Sequence, residues 1–442
     1  MRLHPASKEV VLYKEGFGDS DLLNRTSVGQ RVSELVERIE DPMVLAVDGP
    51  WGSGKSFFLK RWVGAHTLEN GGTATTVYFD AFANDFFEEP LVGLTGAIGE
   101  RLPKGKPQRS LKKVKKVVYK VAGPVARIGA AVATAGATEL AGPILDAVIE
   151  AGGKEAQNAA EAFWKREDGR RAAIQQIRSA LCEITEDGKP LVIVVDELDR
   201  CRPDYALAVL EVIKHFFAAE RVHFVLGVNL DALEDMVRIR YGANINAGDY
   251  LKRFISLSLS LPNNLGSDLS ANASVHYFQV TAREMGIEPR LIDVATDQLK
   301  MAVTATPVSL RDIEKVLIRF ALLPRRRDFE RTYVGYQALI VSLTLFQVLK
   351  PDLLRRAFRR SLKIGDIQTF FGITQSTLDE NSDTYDRDAS FLRGLWQFAL
   401  TSTVDVESEK PHFARAFNGR VRAVFETIER DYFALFEINE TA

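Results

Sequence analysis

The segment Met43 to Trp62 constrains this chain more than any other. A short apolar run, Met43–Val47, passes directly into Asp48-Gly49-Pro50-Trp51-Gly52-Ser53-Gly54-Lys55-Ser56, and Phe57 to Trp62 continues with helical character. An apolar run of that length reads as a strand buried on both faces, as in a parallel sheet. Gly49-x₄-Gly54-Lys55-Ser56 fits G-x-x-x-x-G-K-[ST] in full. Glycines let successive N–H groups turn inward around phosphates without Cβ clashes. Lys55 is then the group that reaches the β- and γ-phosphates, and the Ser56 hydroxyl a ligand for Mg²⁺. The helix start adds its partial positive charge. The expected nucleotide contacts are Gly49, Pro50, Trp51, Gly52, Ser53, Gly54, Lys55, Ser56 and Phe57, with ATP and Mg²⁺ as cofactors. An ordinary Gly-rich turn is the bland alternative, and the strand-to-helix context argues against it.

The rest of the chain supplies the partners of such a loop. Val32, Leu35, Val36 and Ile39 recur at helical spacing and stop at Asp41-Pro42. Thr73–Phe79 reads as a second strand and Leu191–Val195 as a third, ending in Asp196-Glu197. Tyr205–Phe217 reads as a helix, and Val222–Val228 as a further strand ending at Asn229. Strands alternating with helices predict an α/β fold, a three-layer core on a parallel sheet. Beyond Pro262 strand signals fade. Leu310–Leu323 and most of Tyr333–Phe436 read as helices, a helical lid and then a C-terminal all-helical region. The expected domains are 1–100 and 166–262 for the two parts of the core, with 101–165 an insertion between them, 263–327 the lid and 328–442 the helical domain.

A buried strand ending in a carboxylate delivers Asp196 to the magnesium shell beside Ser56, and Glu197 follows as the acid that polarises an attacking water. A solvated acidic turn is the competing reading, weakened by the phosphate loop upstream. Asn229 orients water between the two motifs, or caps its strand in a turn with Asp231. Glu197, Lys55 and Asn229 are thus the candidate catalytic residues.

Asp196-Glu197-Leu198-Asp199-Arg200-Cys201-x-Pro203 resembles the extended Walker B segment of the KAP family of P-loop ATPases, related to AAA+ and STAND ATPases. Residues 48–56 resemble that family's phosphate loop. Val77 to Phe82 resembles its FNAW strand, with Asp80 and Phe82 replacing the usual Asn and Trp. Tyr241-Gly242, Tyr250 to Ile255 and Leu261-Pro262 resemble the segment closing its core. Ser309 to Lys315 resembles its PRxIKR helix, with Leu310 in place of Pro and the second basic residue absent. The resemblance spans about residues 20 to 325. It implies an extra strand between the two Walker strands, ATP hydrolysis, and Arg311 as a sensor of the γ-phosphate. It also implies composite sites in an oligomer, and a role in bacterial anti-phage defence or membrane-associated assemblies. Asp199 and Arg200 either couple nucleotide state to a neighbour or pair with each other. Arg200, Lys252 and Arg253 are the candidates for an arginine finger.

Charge and cysteine content narrow the classes further. Lys and Arg number 57 against 59 Asp and Glu, a net charge of −2, which argues against a surface coated by nucleic acid. Cys182 and Cys201 support neither a disulfide framework nor a zinc site, and Cys201 reads as a small buried apolar residue. The N-terminal segment has no apolar core of a secretory signal, so the expected location is the cytoplasm. Within the insertion, Lys104 to Lys116 holds seven basic residues and no acidic one. Its longest uncharged run, Ile128 to Thr138, has eleven residues dominated by Ala and Gly, too short for the roughly 20 that span a bilayer. It reads either as a protein-docking arm or as a segment lying peripherally on the inner face of the membrane. Nucleic-acid binding lacks interleaved aromatics there, since Tyr119 stands alone. The leading reading is a nucleotide-driven switch or assembly factor with protein partners engaged through the insertion or the C-terminal helices. A non-hydrolysing ATP-binding scaffold and a nucleic-acid-processing ATPase are the rivals.

Overall fold

The computed structural model describes residues 2–5, 9–18, 21–86, 90–102, 105, 175, 178–216, 219–261, 264–265, 268–324, 329–401, 411–418 and 424–433. The insertion expected at 101–165 therefore lies almost wholly outside the described residues, as do Ile174, Ile177 and the Arg325-Arg326-Arg327 run. The chain divides into two compact units, 10–21 with 25–261, and 1–9 with 22–24 and 262–442.

The first unit is built on a parallel five-stranded sheet. Helix α1 (Thr26–Arg38) leads to β1 (Met43–Asp48), and α2 (Lys55–Leu68) to β2 (Thr75–Asp80). After α3 (Pro90–Arg101) come β3 (Leu191–Asp196), α4 (Pro203–Phe216), β4 (Val222–Val228), α5 (Leu230–Tyr241), α6 (Ala247–Leu251) and β5 (Leu257–Ser260). The strand order is β2-β3-β4-β1-β5, every neighbouring pair parallel. So β4 separates β1 from β3, the inserted strand that the family resemblance implies.

Alternate residues of a strand leave opposite faces of the sheet, and here each face has its own cluster. Ile193, Val195, Phe224 and Leu226 pack with Leu94 and Ile98 of α3, Leu210 and Ile213 of α4, and Leu233 and Val237 of α5. Val192, Val194 and Val225 pack with Leu45 and Val47 of β1, Val32 and Val36 of α1, and Phe58 and Trp62 of α2. Helices on both faces make the three layers. At about 25 cal/mol per Å² of apolar surface, such burial dominates the stability of the unit.

The outer edge of β2 is closed by side chains. The Tyr78 N–H donates to the Tyr13 hydroxyl (2.8 Å), and Arg101 Nε donates to the Thr76 carbonyl (3.0 Å) while its guanidinium stacks 3.6 Å over the Tyr13 ring. Strand β5 was not legible as a strand. Four alternating Leu and Ser residues, mostly exposed, become an edge strand because β1 offers a free side for pairing.

The second unit opens with a short antiparallel pair, β6 (Asn264–Leu265) and β7 (Asp268–Asn272), beyond the point where strand signals fade in the sequence. It continues all-helical through α7 (Ala273–Met285), α8 (Pro289–Ala305), α9 (Leu310–Leu322), α10 (Val334–Leu349), α11 (Pro351–Phe358), α12 (Ile364–Phe371), α13 (Gln375–Leu378), α14 (Arg387–Leu400), α15 (Pro411–Ala416) and α16 (Val424–Ile428). One apolar cluster runs through all of it, from Val275 to Phe433. Helix α10 is its hub, apolar on every face because neighbours surround it. Its buried polar groups are all engaged: Gln337 Nε2 donates to Phe329 O, Ser342 Oγ to Gln298 Oε1, and Thr344 Oγ1 to Ile340 O. Among the described residues no helix is long and apolar enough to cross a membrane.

Candidate functional site

The loop after β1 is anchored at the C-terminal edge of the sheet. The Gly49 N–H donates to Val228 O at the tip of β4 (3.2 Å), and Asp48 Oδ1 accepts the Leu230 N–H (2.9 Å). Gly52 and Gly54 then adopt left-handed backbone, φ 82 and 83, which other residues enter only with strain. Gly54 is the N-cap of α2 and provides no side chain, so the first N–H groups of that helix have no side-chain partner. Lys55 is 7% exposed and folds back so that Nζ donates to the Gly49 and Pro50 carbonyls. Burial lowers its pKa, against the pull of Asp199, Asp196 and Asp48. Ser53 Oγ is buried without a hydrogen-bond partner, 3.0 Å from where a Cβ on Gly49 would stand. An unpaired hydroxyl and free N–H groups on a loop held open by glycines fit an oxyanion such as a phosphate.

Asp196, 1% exposed, ends β3, which is one strand (β4) removed from the loop strand. Its Oδ2 accepts the Tyr78 hydroxyl (2.6 Å) and its Oδ1 the Glu197 N–H (2.9 Å). It fits there because β4 presents Gly227 opposite it: a Cβ at that position would lie 2.4 Å from Oδ1. Burial raises the Asp196 pKa, opposed by the Tyr78 and Ser56 hydroxyls and by Lys60. Tyr78 is itself pushed far up by burial and the same carboxylate. Glu197 takes a left-handed conformation, φ 58, worth about 1 kcal/mol of strain or more for a side-chain-bearing residue. That turn brings its carboxylate to Ser56 Oγ (Oε1, 3.4 Å) and to Arg200 Nη1 (2.9 Å). Its pKa is raised first by burial and then pulled back by Arg200.

The structure thus brings together Gly49 to Ser56, Asp196 and Glu197, separated by about 140 residues of sequence. Asn229 stands immediately after Val228, whose carbonyl holds Gly49, and is the N-cap residue of α5 without a side-chain cap bond. Phe57 lies on α2 with the Arg61 guanidinium 5.2 Å from its ring centre. Arg311 is an exposed residue on the first turn of α9, in the second unit, beside the Ser309–Asp312 capping box. One sequence-based alternative is corrected. Asp199 and Arg200 do not pair with each other: Asp199, 4% exposed, accepts the Trp51 indole N–H (2.6 Å), and Arg200 engages Glu197. The half-buried Asn229 side chain makes no cap bond to the start of α5. Cys201 is buried as expected, its thiol pushed up to about 12 by burial and nearby carboxylates. Arg25, Tyr78 and Gly227 were missed, because each acts on a partner far along the chain and no local pattern marks it.

Hard oxygen ligands suit Mg²⁺, which keeps most of its shell as water and substrate phosphate and takes one or two protein groups. Ser56 Oγ with Asp196 beside it is a donor set of that kind. Among the described residues no group of three His, Cys, Asp or Glu side chains is placed to hold a metal alone, and a phosphate-assisted site needs none.

A parallel sheet, a glycine loop between strand and helix, and a buried aspartate on a strand tip one strand removed define the class of P-loop nucleotide triphosphatases. Within that class, the KAP family P-loop domain matches residues 25–326, and the chain belongs to this family. Among solved structures, the chain is similar to the ORC2 protein of Aeropyrum pernix. In its ADPNP–ADP complexes that protein aligns at TM-score 0.34 and 13% identity over 80% of this chain and 71% of that one. In the ADP form it aligns at TM-score 0.31 and 12% identity over 86% and 95%. Likenesses this distant say nothing about function. No curated protein matches the chain.

Proposed function

We propose that this protein binds ATP with Mg²⁺ and hydrolyses it, as a switch whose nucleotide state sets contacts with protein partners. The observation that carries the reading is the meeting of Ser56 with both acids: its hydroxyl donates to Glu197 Oε1 (3.4 Å) and lies close enough to the Asp196 carboxylate to hold down its pKa. Ser56 and Asp196 would hold the magnesium, which supplies charge neutralisation on the phosphates. Lys55, released from the Gly49 and Pro50 carbonyls, reaches the phosphate chain and balances the charge that develops there. Glu197 takes the proton of the attacking water, a role suited to a carboxylate whose basicity burial increases. Asn229 orients that water, and Arg311 senses the γ-phosphate, as in the family it resembles.

Partners engage through the insertion or the C-terminal helices, and copies of the chain assemble into composite sites. Anti-phage defence in the bacterial cytoplasm or at the inner face of the membrane is the pathway the family resemblance favours. Nucleic acid as the effector is the alternative outcome, reported by ATPase activity that rises with added DNA or RNA.

The test compares phosphate release by wild type, Lys55→Ala and Glu197→Gln. Lys55→Ala abolishes ATP binding, whereas Glu197→Gln keeps binding and loses turnover by about a hundredfold or more. Equal rates in all three proteins would exclude the enzyme and leave a scaffold that only holds ATP.

A further inference from the structure

We infer that Arg25 is a positioning residue that aims the phosphate loop's N–H groups at the ligand. Arg25 precedes α1 and is 3% exposed, yet its guanidinium makes no ion pair among the described residues. It spans two consecutive loop carbonyls instead, Nη2 donating to Ser53 O (2.7 Å) and Nη1 to Gly54 O (3.2 Å). A planar fork fixes the direction of each carbonyl with its own N–H group, whereas an ammonium, which can also touch two carbonyls as Lys55 does, imposes no such plane.

The consequence follows from peptide geometry. In a trans peptide the C=O and the next N–H point in opposite directions. Drawing the Ser53 and Gly54 carbonyls toward Arg25 turns the Gly54 and Lys55 N–H groups away from it, out of the loop's other side. Gly54 is the hinge between those two peptide planes, and its φ of 83 is the conformation that allows both carbonyls to face one cation.

The charge is placed with the same logic. Asp21 is the acid nearest in influence, but its carboxylate is spent on the N–H and hydroxyl of Thr26. Arg25 Nε stays buried without a partner. Burying a guanidinium against neutral carbonyls is unfavourable by itself. Behind a loop that carries phosphates, the same charge is repaid by the anion on the far side. Burial pushes its pKa down to about 10, so it remains charged at neutral pH.

This inference rests on the reading of the loop as a triphosphate site, and the experiment separates the two. Affinities for Mg-ATP and for inorganic tripolyphosphate are measured on full-length wild type, Arg25→Lys and Arg25→Met, with melting temperatures alongside. Arg25→Met weakens both ligands by a similar factor, about tenfold to a hundredfold, the range of one or two charge-assisted hydrogen bonds. Arg25→Lys keeps the charge without the planar fork and falls between. Arg25→Lys that stays folded and binds both ligands within twofold of wild type overturns the inference, even if Arg25→Met fails to fold. A folded Arg25→Met that melts lower but binds equally well overturns it too, because that is the behaviour of a merely structural arginine. Wild type that binds neither ligand sinks the triphosphate reading itself.

Discussion

Glu197 sits between opposing influences that can be read off its neighbours. Burial at the strand tip disfavours its charge, and the Arg200 guanidinium at 2.9 Å favours it. With Arg200 removed, the upward pull of burial, Asp196 and Asp80 is opposed only by the weaker influence of Lys60, so the carboxylate stays protonated to higher pH. A general base must be deprotonated to work. Arg200→Ala therefore moves the acid limb of the kcat/KM profile for ATP toward neutral pH, and a pH–rate series reads the shift directly. A limb that stays in place, or moves to lower pH, rules out Glu197 as the titrating base. The Trp51 indole ties the loop to Asp199 on the same turn, so the phosphate loop and the strand tip are joined by a side-chain bond besides the backbone. Trp51 remains 51% exposed and is a natural fluorescence reporter of loop occupancy.

At the scale of elements, α1 and α2 are locked by a polar network within an apolar layer. Ser33 Oγ receives the Trp62 and Asn70 N–H groups (3.1 and 2.9 Å) and bonds His66 Nδ1 (2.9 Å). His66 Nε2 lies 3.1 Å from Glu37, which also takes the backbone N–H groups of Thr73 and Ala74 at the entry to β2. The arrangement has the order of a serine–histidine–acid triad, but Ser33 and His66 are sealed from solvent and the hydroxyl is fully engaged. It is a fastener. Ser33→Ala takes an acceptor from half-buried Asn70 and a partner from buried His66, while Trp62 keeps Gly29 O, and destabilises the fold by about 1–3 kcal/mol. Urea melts measure this, and the ATP affinity of the folded variant stays at the wild-type value because no ligand contact is lost. A change in affinity without a change in stability would contradict the assignment.

Across the whole molecule, acid exposes another built-in feature. His223 lies in β4 fully buried near Ile39, and burial lowers its pKa from 6.5. The unfolded chain takes up a proton at this residue as pH falls below about 6.5, while the folded chain resists it, so stability is lost on acidification. His66 is lowered the same way, burial again the largest cause. Replacing His223 by Leu removes one such group. The variant gains on wild type as pH falls from 7 toward 5, by at most about 1.4 kcal/mol per pH unit. Denaturant midpoints across that range provide the check, and a difference independent of pH would count against a depressed His223.

Much of this protein was legible because its decisive chemistry is local. The loop from Gly49 to Ser56 and the acids Asp196-Glu197 are contiguous, and β1, β3 and β4 announce themselves as unbroken apolar runs because both of their faces are buried. Strand β5 and the pair β6–β7 carry no such run; they exist because neighbouring backbone has groups left to pair, a property that local sequence does not encode. The same holds for the site's supports. Arg25 on the Ser53 and Gly54 carbonyls, Tyr78 on Asp196, and Trp51 on Asp199 join residues 28 to 148 positions apart. Sequence alone determined that a phosphate loop and a strand-tip acid exist, since each is a pattern of a few adjacent residues. Tertiary structure decided how they meet, because strand order placed β4 between them and only the packed sheet brings Tyr78 and Arg25 within bonding distance of the groups they position and sets Gly227 opposite Asp196.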